Sequence, residues 1–377
     1  MNPEPQQTMA PQVASYANLL TGDPGPRFVQ RAFANPHFVF DTVAGRYIVL
    51  AFFTSSEAPD GRAVTAFLKA NRGLFDDTRL CIFGVTQDRA DETRLSDDIP
   101  GIRYFWDADG TVARLYGALP HDAKAPPLFR SMFVVLDPTL RVLKIEAMTP
   151  DNSPLAGWLS ALPQADRHAG VELMAPVLYL PNVFEPGLCR DLVAAYERNG
   201  GEFSGFMREH DGMTVGVRDP SMKSRSDYML TEDDLMRRAQ VAVVRRIIPE
   251  VKKVHQYDVT RMERYLVGCY TAEEGGHFRP HRDNTTSATA HRRFAVSINL
   301  NDDFDGGTIY FPEYGLRQFK PPPGGAVVFS CSILHGVVPV RRGRRYAFLP
   351  FLYDNAAADL RQANIDKLSR DEPLDLR

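Results

Sequence analysis

Apolar and polar positions follow two different patterns along the chain, and the pattern changes near residue 170. In the first half, short continuous apolar runs alternate with amphipathic stretches. The runs predict strands buried on both faces, and the stretches between them predict helices. The predicted strands are 47–53, 80–85, 102–106, 132–136 and 142–146, and the predicted helices are 62–71, 90–97, 111–116 and 153–162. This alternation favours an α/β layer.

The second half is rich in strand-like segments that are separated by glycine and proline. It opens with a predicted strand at 175–180, an amphipathic helix ending near 198, and a second helix that follows a capping-box pattern at 231–234 and ends near 248. The main strands are expected at 261–270, 294–300, 308–311, 326–330 and 346–353. Many antiparallel strands favour a double-stranded β-helix, or jelly roll, with flanking helices.

These patterns predict an α/β domain at 16–165 and a mainly-β domain at 173–377, joined by a polar linker. Residues 1–15 are polar and contain proline, which favours a disordered arm. At 377 residues, the chain is long enough for two domains that each bury a core.

Composition excludes several classes of protein. A net charge of −3 gives no support for general nucleic-acid binding, and no apolar run is long enough to span a membrane. The first residues lack the basic and apolar regions of a secretory signal, and the four cysteines show neither zinc-site nor disulfide-framework spacing. We therefore expect a cytoplasmic protein.

One stretch of the second half carries candidate chemistry. His281 and Asp283 are two residues apart, so an extended strand would place both on one face. His335 from a distant strand would complete a face of two imidazoles and one carboxylate, which suits iron(II) and leaves three positions open. Arg345 follows ten residues later, and a buried arginine fork is a natural partner for a carboxylate.

The residues around this stretch read YTAEEGGHFRPHRD, then SINLNDDFDGGTIYFP, then PPPGGAVVFSCSILHGVVPVRRGRRY. This text resembles the prolyl 4-hydroxylase-like branch of the iron(II)/2-oxoglutarate dioxygenases, over about residues 173–355. The resemblance implies that His281, Asp283 and His335 are the iron ligands and that Arg345 binds the far carboxylate of 2-oxoglutarate. Tyr270 matches a tyrosine that hydrogen-bonds the same co-substrate. The implied cofactors are iron(II), 2-oxoglutarate and O2, with ascorbate as a candidate reductant.

The resemblance further implies a hydroxylase that acts on an unactivated C–H bond and releases succinate and CO2. A prolyl, peptidyl or amino-acid-like substrate is favoured, and a small secondary metabolite is the alternative substrate. A non-catalytic protein that senses oxygen or 2-oxoglutarate is the alternative function. The complete set of ligand types together with Arg345 speaks against the sensor.

The first half resembles the thioredoxin fold and, within it, the peroxiredoxins. The matching phrases are YIVLAFFTSSEAPDG, FGVTQD, WDADGTVARLYG and RSMFVVLDP, and Arg130 matches an arginine that flanks the peroxidatic cysteine. That cysteine should fall at 57–62, where the chain has none. Because thiol-peroxidase chemistry needs a thiolate, we expect a redox-inactive domain. Substrate recognition, a homodimer contact and a purely supporting role remain open for it.

Three further segments keep alternative interpretations. His277 and His281 have the spacing of helical zinc ligands, but Pro280 lies between them, so His277 is expected in a loop near the barrel mouth. Residues 284–290 are either a mobile flap over the substrate or a solvated loop. Residues 223–227, with alternating charges, either contact the substrate or form a solvated charge run.

Overall fold

The computed structural model of the protein describes residues 14–121, 128–210, 212–369 and 373–375. Contacts divide the chain into two compact units, with the boundary between Leu173 and Met174 and with Glu313–Gly315 grouped with the first unit. No helix within the described ranges combines the length and the apolar character needed to cross a bilayer. Apart from residues 14 and 15, the predicted arm at 1–15 lies outside the described residues.

The first unit is a mixed sheet with helices, as the apolar runs predict. Its strands are β1 Val29–Gln30, β2 Phe38–Val39, β3 Tyr47–Phe53, β4 Leu80–Thr86, β5 Ile102–Trp106, β6 Met132–Leu136 and β7 Val142–Ala147. Its helices are α1 Pro59–Ala70, α2 Asp91–Arg94, α3 Thr111–Leu115 and α4 Ser153–Ser160. The sheet order is β5-β4-β3-β6-β7. The pairs among β3, β4 and β5 are parallel, whereas β6 and β7 pair antiparallel. The predicted thioredoxin-like α/β layer is confirmed.

Strand β3 is buried on both faces, which explains its unbroken apolar sequence. Val49 lies in a core cluster with Phe67 of α1 and Leu155 of α4. On the other face, the ring of Phe52 lies 5.7 Å from that of Tyr116, between ring centroids. Since side chains alternate along a strand, both faces of this sheet need an apolar layer.

A polar network occupies the start of α1, where a peroxiredoxin would place its cysteine. The Asp60 carboxylate accepts hydrogen bonds from the backbone N–H of Thr54 at 2.7 Å and from the hydroxyl of Ser131 at 2.8 Å. Cys81 lies in β4, where burial raises the pKa of its thiol to about 12. Arg130 is exposed, and its guanidinium carbon lies 3.4 Å from the ring centroid of Tyr16. Neither Cys81 nor Arg130 therefore contributes to a reactive thiol pocket.

The second unit is mainly β. Its strands are β8 Leu178–Leu180, β9 Glu202–Phe203, β10 Phe206–His210, β11 Met213–Arg218, β12 Lys223–Ser224, β13 Ser226–Met229, β14 Arg261–Glu263, β15 Leu266–Thr271, β16 His277–His281, β17 Phe294–Asn299, β18 Asp305–Gly306, β19 Ile309–Tyr310, β20 Gln318–Phe319, β21 Ala326–Ser330, β22 His335–Val337, β23 Val340–Arg342, β24 Arg344–Phe348, β25 Phe351–Tyr353 and β26 Leu374–Asp375. Its helices are α5 Pro186–Asn199, α6 Asp233–Arg246, α7 Ile248–His255 and α8 Asn355–Ala363.

Two antiparallel sheets form the body of this unit, as a jelly roll requires. The larger sheet runs β14-β25-β17-β24-β15-β13-β9, with β21 and β8 joined through β17. The smaller sheet runs β12-β16-β22-β19-β20. Helices α5 and α6 pack on the larger sheet, where Leu192 and Val243 share a core with Phe348. The predicted jelly roll with flanking helices is confirmed.

Local backbone geometry corrects three predictions in this unit. The capping box is wrong, because Glu232 is the N-cap of α6 and no side chain caps the helix there. The helix expected to end near 248 ends instead at Arg246, and α7 begins at Ile248 with proline in its first turn. The strand expected at 261–270 is broken, since Arg264 has a φ of 65° that a regular strand cannot accommodate.

We predict that Gly61→Ala destabilises the first unit although alanine is the better helix former. A Cβ at Gly61 would lie 2.0 Å from the carbonyl oxygen of Ser55, so the backbone at the start of α1 must move. The expected loss is about 1–3 kcal/mol in the free energy of unfolding. Both tryptophans, Trp106 and Trp158, lie in the first unit, so urea unfolding followed by tryptophan fluorescence reports on it.

The matched control is Gly73→Ala, since a Cβ at Gly73 meets no described atom within 4 Å. Gly73→Ala should leave the unfolding midpoint unchanged or raise it slightly. Equal midpoints for the two variants would show that the contact between α1 and Ser55 does not constrain this helix.

Candidate metal centre

The pairing of β16 with β22 brings two histidines side by side. His281 ends β16 and is the register partner of His335, which begins β22. The register shifts between Phe278 and His281, so a bulge precedes the pair. The expectation that one extended strand carries both His281 and Asp283 is wrong, because β16 ends at His281. Asp283 is held instead by its backbone N–H, which donates to Cys331 O at 3.0 Å.

The side chains of His281, Asp283 and His335 nevertheless converge. The Nε2 atom of His281 lies 3.5 Å from Asp283 Oδ1, and that of His335 lies 3.4 Å from Asp283 Oδ2. The two imidazole rings are 4.3 Å apart between centroids. One ligand atom from each residue lies within 4.8 Å of the others. Within the described part of the chain, this is the group of His, Cys, Asp and Glu side chains that could hold a metal ion.

Hydrogen bonds to backbone carbonyls determine which nitrogen faces the carboxylate. Nδ1 of His281 lies 2.8 Å from Arg279 O, and Nδ1 of His335 lies 3.0 Å from Ile333 O. Since a carbonyl only accepts, Nδ1 of each ring carries a proton, and each Nε2 faces the carboxylate of Asp283. A proton or a metal ion between Nε2 and the carboxylate makes each approach favourable. The donor set thus fits a divalent metal ion, with ring orientations fixed as in metal sites.

The protonation states of His335 and Asp283 at neutral pH also fit metal binding. Burial, together with neighbouring His281, lowers the pKa of His335 to about 4, so its imidazole is neutral. Burial alone would raise the pKa of Asp283, but the two histidines hold it below its usual range. A neutral imidazole at His335 and an ionised carboxylate at Asp283 are the forms that bind metals.

Aromatic rings surround the histidines. The ring of Phe278 stacks on that of His281 at 3.5 Å, and the ring of Phe329 meets that of His335 edge-on at 4.6 Å. These contacts restrict ring rotation and exclude water from one side of the face. A dry environment strengthens every electrostatic interaction within it.

Arg345 is fully buried in the same barrel, on β24. Its Nε donates to Asn299 Oδ1 at 3.0 Å, and its Nη2 donates to Ser297 Oγ at 2.8 Å. Its Nη1 is buried and has no hydrogen-bond partner among the described residues. An unsatisfied donor on a buried cation is costly, so this atom marks a place for an anionic ligand.

Tyr270 lies directly beside Arg345, since the two are register partners on β15 and β24. The guanidinium carbon of Arg345 lies 5.4 Å from the centroid of the Tyr270 ring. The Tyr270 hydroxyl accepts a hydrogen bond from Arg225 Nη1 at 3.3 Å. Tyr270 is therefore oriented by Arg225 and borders the space that Arg345 faces.

Sequence reasoning missed Ser297 and Asn299, which orient the Arg345 guanidinium. Their spacing on β17 places both on one face, but a serine and an asparagine in an apolar strand carry no specific signal. The solvated interpretation of residues 223–227 is wrong, because Lys223 and Arg225 are buried, at 2% and 7% exposure. Lys223, Arg225 and Asp227 are two residues apart, which is the period of a strand, and this spacing was the sequence signal that they share one face.

The other histidine and the connection after the metal face also have definite places. His277 begins β16, so its assignment to a loop is wrong, and its ring nitrogens lie near the backbone oxygens of Gly275 and Ser221. In the connection 284–290, Thr286 is buried, and Ser287 donates to Glu209 of β10 from its hydroxyl and its backbone N–H at 3.1 and 3.2 Å. The connection is therefore packed against the β10–β11 hairpin and is not freely solvated.

Residues 265–353 match the family described as the 2OG-Fe(II) oxygenase superfamily. The match lies in the C-terminal part of the chain and includes His281, Asp283, His335 and Arg345. The chain is 33% identical over 124 residues to the PKHD-type hydroxylase PiuC of Pseudomonas aeruginosa, an alignment that covers 29% of this chain and 54% of that protein. The chain thus spans about half the length of this curated relative.

Among solved structures, the chain is similar to a prolyl hydroxylase from Trichoplax adhaerens in complex with a hypoxia inducible factor oxygen degradation domain peptide fragment. The TM-score is 0.41 at 17% identity, covering 56% of this chain and 96% of that one. It is also similar to a peroxiredoxin-like protein from Aquifex aeolicus, with a TM-score of 0.32 at 12% identity, covering 39% of this chain and 90% of that one.

A buried ion-pair group anchors the segment that follows the metal face. Glu263, at the end of β14, contacts His291 Nε2 at 3.0 Å and Arg292 Nε at 2.8 Å, and Arg361 Nε lies 3.5 Å away. Burial alone would raise the pKa of Glu263, but the hydrogen bond from His291 and the charge of Arg292 lower it to about 2. Folding thus favours the ionised carboxylate.

We predict that Glu263→Gln costs stability at pH 6 and much less near pH 3. The pKa of Glu263 is lower in the folded chain than its value of roughly 4.3 in an unfolded chain. Its contribution is therefore complete above that value and lost as the pH falls toward 2, and it amounts to roughly 3 kcal/mol at most. Urea unfolding of both proteins followed by circular dichroism at several pH values measures it, with exposed Glu273→Gln as control. An equal cost at pH 6 and pH 3 would contradict the ion-pair role.

Proposed function

We propose that the second unit is an iron(II)- and 2-oxoglutarate-dependent dioxygenase that hydroxylates an unactivated C–H bond. The observation that carries this proposal is the face of His281, Asp283 and His335 in the same barrel as the unsatisfied buried guanidinium of Arg345. The family match over residues 265–353 supports it.

Iron(II) on this face supplies the activation of O2, coupled to decarboxylation of 2-oxoglutarate to succinate and CO2, that oxidises a substrate C–H bond. Three protein ligands leave three positions for co-substrate and oxygen. The Nε2 atoms of His281 and His335 and the carboxylate of Asp283 hold the metal, and the carbonyls of Arg279 and Ile333 keep both rings in the ligating tautomer.

Arg345 positions the co-substrate. Its Nη1 donates to the far carboxylate of 2-oxoglutarate, while Asn299 and Ser297 hold the rest of the guanidinium in place. Tyr270, at the side of that guanidinium, contributes its hydroxyl to the same carboxylate. Phe278 and Phe329 exclude water from the ring faces, so the site is prepared before the substrate arrives.

A prolyl, peptidyl or amino-acid-like substrate fits the prolyl 4-hydroxylase-like sequence pattern, and the matched relative is named a hydroxylase. For the first unit we propose a redox-inactive role in recognising the substrate or forming a homodimer. The network of Asp60, Thr54 and Ser131 at the expected cysteine position supports a non-peroxidase role.

The test is an anaerobic titration of iron(II) and 2-oxoglutarate into the purified chain, followed through the weak visible metal-to-ligand charge-transfer band. We expect the band in the wild type and its loss in His335→Ala. Arg345→Ala should weaken 2-oxoglutarate binding about a hundredfold, because a buried charged hydrogen bond is lost. Arg345→Lys should fall between the two, since an ammonium keeps the charge without the fork.

His277→Ala is the matched control, because His277 lies on the same strand as His281 and its ring contacts backbone oxygens. It should keep the band. A folded wild type that binds iron(II) and shows no band with 2-oxoglutarate would refute the dioxygenase assignment. Release of labelled CO2 from 2-oxoglutarate in air then measures turnover.

A further inference from the structure

A group of basic side chains lies near Phe278 and Tyr270, two of them buried and one partly exposed, and the proposed function assigns none of them to the metal or to direct contact with 2-oxoglutarate. Its members are Lys223, Arg225 and Arg264, which we call the basic cluster. Lys223 and Arg225 belong to the β12–β13 segment that crosses from the smaller to the larger sheet. Arg264 lies at the break between β14 and β15.

The carboxylate of Asp227 forms ion pairs with two members of the basic cluster. Arg225 binds both of its oxygens, at 2.6 and 2.7 Å, and Arg264 Nη2 lies 3.3 Å from Oδ2. The hydroxyl of Ser204 also donates to Oδ2, at 2.5 Å. Asp227 is thus shared between two guanidinium groups, and neither has a carboxylate to itself.

Lys223 makes no direct ion pair with that carboxylate and reaches it only through Ser204. Its Nζ donates to Ser204 Oγ and to Gly205 O, both at 2.7 Å, and no carboxylate in the described ranges lies within ion-pair distance of it. Burial, reinforced by Arg225, lowers the pKa of Lys223 well below its ordinary value, because the charged form has no anion beside it. A carboxylate ligand would favour the ammonium form, which has three donors, of which two face neutral oxygens here.

The position of Lys223 connects it to the chemistry. Its register partner is Phe278, and its Nζ lies 5.1 Å from the centroid of the Phe278 ring. The same ring stacks on the imidazole of His281, with the centroids 3.5 Å apart. On the other side of the cluster, Arg225 reaches the hydroxyl of Tyr270, which borders Arg345.

We propose that the basic cluster is a subsite for a carboxylate of the primary substrate, with Lys223 as the residue that binds it. This inference rests on the proposed function and names a substrate class, an acidic amino acid or a peptide with an acidic residue or free carboxylate. Arg345 serves the co-substrate, so a second anion beside the metal face offsets the remaining charge. The subsite determines specificity and is separate from the iron ligands.

Acid and carboxamide pairs test the proposal in the full chain, held anaerobic with iron(II) and saturating 2-oxoglutarate. Calorimetric titration compares L-proline with L-prolinamide, and acetyl-prolyl-glutamyl amide with acetyl-prolyl-glutaminyl amide. At least one acid should bind about tenfold more tightly than its carboxamide, as expected for a charged hydrogen bond. The first pair tests a free α-carboxylate, and the second tests a peptide side chain.

Lys223→Met should abolish this discrimination and leave the affinity for 2-oxoglutarate unchanged within twofold. Lys320→Met is the matched control, because Lys320 also donates to two neutral oxygens, here both backbone carbonyls, and lies over a phenylalanine ring, but is exposed. It should keep the discrimination. Without ligand, Lys223→Met should melt at the same temperature as the wild type or higher, since a buried cation without a carboxylate is removed.

Three results would overturn the inference. The first is that neither acid binds more tightly than its carboxamide. The second is that Lys223→Met retains the preference for the acid. The third is that Lys223→Met weakens 2-oxoglutarate binding as much as Arg345→Ala does. The last result would assign the cluster to the co-substrate. In the first two outcomes the charge-transfer band still forms with iron(II) and 2-oxoglutarate. Failure of the dioxygenase assignment would instead remove the band from the wild type, so the two failures can be told apart.

Discussion

Two imidazole Nε2 atoms and the carboxylate of Asp283 face one another at the end of the smaller sheet, and a cation between them makes this arrangement favourable. The fold holds them together through backbone contacts, since the carbonyls of Arg279 and Ile333 orient the rings and Cys331 O fixes Asp283. A register shift in β16 precedes the first histidine. The fold itself therefore positions a donor set that fits a divalent metal ion, and binding of such an ion would also stabilise the fold.

Arg345 and Lys223 are buried in the same barrel, and among the described residues neither forms an ion pair with a carboxylate. Arg345 keeps an unsatisfied donor, and Lys223 donates to neutral oxygens. Each is costly in a protein without ligands, because desolvation of a cation is offset only by a nearby anion. Binding of an anionic ligand offsets the desolvation free energy of such basic groups. The same groups therefore favour anionic over neutral ligands.

The first unit combines apolar layers with a polar network at the start of α1. Both faces of β3 are buried, and Phe67 of α1 belongs to the core on one of them. The Asp60 carboxylate, which accepts hydrogen bonds from Thr54 and Ser131, lies in the polar network. The layer and the site depend on different residues, so one can change while the other stays.

By itself, the amino-acid sequence determined strands β3 to β7 of the first unit and predicted the residues of the candidate metal face, because apolar periodicity and short motifs are local properties. It could not place the break at Arg264, where a positive φ ends β14, or the register shift that seats His281. Residues 223–227 could be interpreted equally as solvated or buried, since alternating charge does not reveal what covers it. Only tertiary structure decided that Lys223 and Arg225 are buried and that Ser297 and Asn299 hold Arg345, because burial and hydrogen bonding depend on strands that are far apart in sequence.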